Sequence, residues 1–160
     1  MKKHSVNTVA NWFIQTAIDE NKPVDQIKLM KLVYIAYGVN LAINDKPLFV
    51  EPIEAWKYGP VIAKLYQQLK CFGIGDIKYL IALPRSDNTE KGIDKDTINI
   101  LKLVWKSFNK YSGIQLSNWS HNEDGPWYKA WHHNGGKDRS HYPIEDKIMK
   151  DYFKKMVKKK

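Results

Sequence analysis

Cysteine and arginine are both scarce in this sequence. Cys71 is the single cysteine in 160 residues, so no disulfide can form within the chain. It reads as a small apolar side chain on the inner face of a helix. Arg85 and Arg139 are the only arginines. The forked guanidinium that most often reads guanine edges is therefore nearly missing, which works against specific major-groove recognition. No apolar run approaches the roughly 18 residues of a membrane span, and no signal-peptide pattern opens the chain, so the expected place is the cytoplasm. There is no HExxH, no zinc-spaced cysteine pair, no phosphate-cradling glycine loop and no GxSxG elbow. No catalytic residues, metal or cofactor are expected.

What is present is lysine. The formal net charge is +9, which invites a nucleic-acid partner, but the charge is unevenly placed. Residues 147–160 hold seven lysines against Asp151, and Lys2 and Lys3 add two more cations, leaving about +1 on residues 4–146. A lysine-rich end attracts any polyanion weakly and without reading sequence. The body, residues 1–153, is expected to be one domain, with 154–160 a basic C-terminal tail.

Apolar spacing predicts a mainly α, single compact helical domain with a small antiparallel β-hairpin. Ser5 caps a first helix with Val6, Val9, Ala10, Phe13, Ile14, Ala17 and Ile18 inward, stopped by Asn21-Lys22-Pro23. Asp25 caps a second, with Leu29, Leu32, Val33, Ala36, Tyr37 and Leu41 inward. Pro60 is expected to open a third, carrying Ile62, Leu65, Tyr66, Leu69 and Phe72 to a stop at Gly73. Residues 48–58 and 77–83 read as extended and are expected to pair. Residues 84–92 read as a mobile polar loop. A fourth helix starts near Asp94 or Asp96, with Ile98, Leu101, Val104, Trp105, Phe108 and Tyr111 inward, and closes near Gly113. Ser117 caps a short helix through Trp119, and PWYKAW (126–131) forms another. A last helix covers 144–155 with Ile144, Ile148, Met149 and Tyr152 or Phe153 inward.

Two stretches stand out chemically. EAWKYGPVIAKLY (54–66) places Trp56 and Tyr58 two apart, before Gly59-Pro60. It reads as a chain corner first; Trp and Tyr are also the anchors that interfaces favour. An anion at the following helix start is a weaker reading. LSNWSHNEDGPWYKAW (116–131) gathers three tryptophans around His121, Glu123 and Asp124. An acid–base pair, a metal site with His132, His133 or His141, and a Ser/His/Asp set using Ser117 or Ser120 can all be drawn from it. The spacing favours caps and turns over each.

Together these stretches resemble one family, the Panacea domain, a SocA-like antitoxin domain also found in phage-associated proteins. The resemblance rests on KLMKLVYIAYGVNLAINDKPLF (28–49), EPIEAWKYGPVIAKLYQQLKCFG (51–73) and LSNWSHNEDGPW (116–127). The matching positions are Lys31, Leu32, Tyr34, Ala55, Trp56, Gly59, Pro60, Val61, Leu116, Ser120, His121, Pro126 and Trp127. The resemblance implies a non-enzymatic protein that binds and neutralises a cognate toxin, with a protease as a further partner in one branch of the family. Trp56, Tyr58, Gly59, Pro60, His121, Pro126 and Trp127 are the expected partner-binding residues. An enzyme built on His121 and a nucleic-acid regulator using the terminal lysines are the competing readings.

Overall fold

A computed structural model describes residues 4–83 and 92–158. The polar loop expected at 84–92 lies almost wholly outside them. The described chain forms α1 (Val6–Asp19), α2 (Gln26–Asn44), β1 (Glu54–Trp56), β2 (Gly59–Val61), α3 (Ala63–Leu69), α4 (Lys95–Phe108), α5 (Gly113–Ser120), α6 (Pro126–Tyr128), β3 (Tyr142–Pro143) and α7 (Asp146–Lys158). The mainly α reading with a small antiparallel sheet holds.

The expected caps of α1 and α2 form. Ser5 accepts from the Thr8 amide and Asp25 from the Lys28 amide, each satisfying a helix-start donor. Helix α2 is the hub. It packs against α7, α5, α4, α1 and α3, and every residue from Lys28 to Leu41 is buried. A helix enclosed on all sides needs no polar stripe, so the inward set read from spacing is only part of what it buries. Gly38 lets α7 approach: a Cβ there would lie 2.1 Å from the Phe153 ring. Phe153 in turn meets Tyr34 edge-on at 5.8 Å.

The hairpin differs from expectation. β1 pairs with β2, Trp56 opposite Gly59, around the two-residue turn Lys57-Tyr58. β3 adds on the other side of β1. Pro60 therefore sits in a strand, and α3 starts three residues later at Ala63. Residues 77–83 form no strand. Asn11 holds them instead, donating to the Ile81 carbonyl (2.8 Å) and accepting from the Ile81 amide (2.7 Å). One side-chain amide thus supplies what a strand partner would have supplied. Ile77 is held separately, its amide donating to the Val24 carbonyl at 2.8 Å, and both Ile77 and Ile81 are buried.

Other inward assignments fail at helix margins. Cys71, Ile18, Tyr66 and Tyr111 are exposed, because the short helices and frayed ends that carry them have only one packed side. Ser117 is not a cap. Ser112 caps α5 in a reciprocal capping box with Gln115, so Gly113 opens a helix where it was expected to close one. PWYKAW does begin a helix, after Gly125. The last helix runs past 155 to Lys158, with Met156 and Val157 packed on the core.

Candidate functional site

The β1–β2 hairpin gathers residues from four distant parts of the chain. Among the described non-glycine residues only Asn21, Asp45 and His141 have positive φ. Lys57 and Tyr58 therefore turn without it, and the reversal is completed at Gly59, whose φ is +128°. A Cβ on Gly59 would stand 3.0 Å from Lys31 Nζ, 3.5 Å from His121 Nε2 and 3.6 Å from Ser120 Oγ. The glycine is thus the point where α2, the hairpin and the end of α5 meet.

Lys31 reaches this point from inside α2. It is 5% exposed and donates to the Pro60 carbonyl at 3.0 Å. Burial pulls its pKa down to about 8, because the ammonium loses water and gains no carboxylate in return. Trp127 reaches the hairpin from α6, its indole N–H donating to the Trp56 carbonyl at 2.6 Å. The Trp127 ring stacks on Trp131 and meets His121 edge-on at 4.6 Å. Trp56 donates its own N–H to Glu54, stacks on His141 at 4.6 Å and meets Tyr66 edge-on at 5.1 Å.

Six of the seven sequence-predicted residues lie at or against this hairpin, at different depths, and Pro126 opens α6 next to Trp127. Gly59, Pro60, Pro126 and Trp127 are buried, Trp56 and His121 are half-buried, and Tyr58 is 76% exposed at the turn. Because Tyr58 sits in the turn, the strand alternation that would give it one face with Trp56 does not apply. Spacing did not point to His141, 85 positions from Trp56, or to Lys31 as a buried cation. A signal for Lys31 does exist. Lys28 and Lys31 interrupt a helix that is otherwise almost wholly apolar, and a cation there must find a specific acceptor. Lys28 finds the Asn109 carbonyl at 2.6 Å.

Ser120 spends its hydroxyl on the Ser117 carbonyl at 2.7 Å. Glu123 and Asp124 are exposed, and among the described residues no hydrogen bond joins His121 to either, or to Ser120. No three His, Cys, Asp or Glu side chains among the described residues gather as a metal site would need. No helix among them is long and apolar enough to cross a membrane.

Comparison with known proteins agrees with this motif set. The family described as "Antitoxin SocA-like, Panacea domain" matches residues 29–128, which takes in most of α2, the hairpin and α6. Antitoxin SocA of Caulobacter vibrioides (strain NA1000 / CB15N) is 30% identical over 154 residues, covering 91% of this chain and 80% of that protein. No solved structure matches. The chain belongs to the SocA-like antitoxin family and carries its Panacea domain.

Proposed function

We propose that this protein is the antitoxin of a toxin–antitoxin pair and masks a cognate protein toxin by direct binding. The contact surface is centred on the β1–β2 hairpin. Tyr58, Trp56 and His121 offer the contacting side chains, while Gly59, Pro60, Pro126 and Trp127 hold them in place. One observation carries the reading. A buried hydrogen bond from Lys31 and a part-buried one from Trp127 brace a two-residue turn, and the residue held outward on that turn is a tyrosine 76% exposed. A large, rigid, amphipathic ring on a braced support is the kind of side chain that anchors protein interfaces. The folded body carries little net charge, so shape and apolar contact, more than long-range attraction, set its specificity.

The test is co-expression with the product of the adjacent open reading frame. Rescue of growth by the parent chain and weakened rescue by folded Tyr58→Ala or Trp56→Ala variants is the expected result. A true hot spot loses about 2 kcal/mol or more on truncation. Full rescue by both variants would move the interface away from the hairpin.

A further inference from the structure

An open cavity of about 240 Å³ lies beside the hairpin turn, between α2 and α3. Ile27, Met30, Val61 and Leu69 give it apolar walls, and Tyr58, Tyr66, Gln26 and Ser117 complete the lining with Lys31. Ile27, Tyr58 and Tyr66 are exposed large apolar side chains, brought close together by the fold. Lys31 is the one cation in the lining. Its amine has three N–H donors, and among the described residues its single hydrogen-bond acceptor is the Pro60 carbonyl. No carboxylate of the described chain pairs with it. The lining therefore combines apolar side chains with one nine-tenths-buried lysine whose amine has donors to spare.

That combination selects the occupant. The space is smaller than the roughly 300–1,000 Å³ of ordinary cofactor and drug-sized sites, so it suits a single large side chain. The unpaired ammonium calls for an anion, and a carboxylate gives it a charge-assisted hydrogen bond. An internal Asp or Glu brings a carboxylate but little apolar surface for Ile27, Met30, Val61 and Leu69 to cover. A C-terminal residue brings both parts at once. We infer, on the reading that this chain is an antitoxin, that the cavity receives the C-terminal residue of the toxin, with a large apolar side chain against Ile27, Met30 and Leu69 and the terminal carboxylate on Lys31 Nζ.

The test uses the full chain and hexapeptides ending in Leu, Ile, Val, Met or Phe, as free acids and as C-terminal amides. Amidated peptides with an internal Glu form the third set, and binding is read by fluorescence anisotropy. At least one free acid is expected to bind, with its amide weaker by about tenfold or more. Lys31→Met is expected to abolish that difference. Ile27→Glu, on an exposed wall position, is expected to repel the free acid and gives a second route should Lys31→Met not fold. Equal binding of acid and amide, preference for the internal-Glu set, or no free acid binding at about 1 mM would overturn the proposal. A co-expression arm separates this from the antitoxin reading. If the unaltered toxin is neutralised but a toxin with a Gly-Ser extension at its C-terminus escapes, the cavity proposal is supported. Neutralisation of both overturns the cavity proposal alone. Neutralisation of neither defeats the antitoxin reading.

Discussion

Gly59 and Lys31 meet at the hairpin, where a Cβ on Gly59 would stand 3.0 Å from Lys31 Nζ. Gly59→Val is expected to cost about 1–3 kcal/mol, because φ of +128° strains any β-branched residue and the new Cβ would press on Lys31 Nζ. Superimposable melts of parent and variant would refute this. Lys31 gives a pH signature whose sign follows from its lowered pKa. In the folded chain the amine releases its proton near pH 8, whereas in the unfolded chain it does so near 10.4. Between those values the unfolded state binds more protons, so this residue's contribution to stability rises with pH there, and below about pH 8 the buried ammonium is a standing cost. Lys31→Met is therefore expected to compare best with the parent at pH 7 and to lose ground as pH rises from 8 to 10. His121, the other titratable side chain at Gly59, stays in place in both proteins, so the difference between melts isolates Lys31. A constant offset across that range would show the amine to be solvated.

At the scale of elements, helix starts carry measurable weight. Asp94 caps α4 by accepting from the Thr97 amide at 2.9 Å, and it bonds the Thr97 hydroxyl and His4 Nε2. Burial alone would raise the carboxyl's pKa, but the Thr97 amide and the bonds from His4 and the Thr97 hydroxyl outweigh it and hold the group at about 2. A carboxylate with a depressed pKa stabilises the fold above its unfolded value near 4 and loses that effect as pH falls toward 2. Asp94→Ala is expected to lower stability by about 1 kcal/mol at neutral pH. The gap between variant and parent melts should narrow below pH 4, and a gap unchanged down to pH 2 would place the stabilisation elsewhere. In α7, Phe153 fills the space over Gly38 and packs on Tyr34. Phe153→Ala is expected to cost about 3–5 kcal/mol by urea denaturation.

The whole molecule decides how the basic end is read. Treating 154–160 as a separable tail is a proposal that the helix makes testable. Met156 and Val157 pack against the core, while Lys154, Lys155 and Lys158 are exposed. Ending the chain at Phe153 is expected to destabilise it by about 1–3 kcal/mol through lost apolar burial. Changing Lys154, Lys155 and Lys158 to Gln is expected to leave stability within about 0.5 kcal/mol. If the lysines are secondary to toxin binding, that triple variant rescues as well as the parent. Rescue lost in a well-folded triple variant would instead make the lysine end the active element.

The α1, α2 and α4 helices were legible in the sequence because long apolar stripes and capping residues are local signals, written within one or two turns. The family motifs were legible for the same reason, as residue types at fixed short spacing. Strand pairing was not: a β-rich run such as 77–83 has no preference between a backbone ladder and the Asn11 side chain until the rest of the chain offers one of them. The depth of each site residue was equally hidden. Sequence alone set Trp56, Tyr58 and Trp127 down as comparable aromatics. Packing then turned Trp127 into a buried brace, left Tyr58 in water, and placed Lys31 from a helix 25 residues earlier beneath them. Burial is a property of what surrounds a residue in space, and those surroundings come from α2, α3, α5 and α6, which only the tertiary structure brings together.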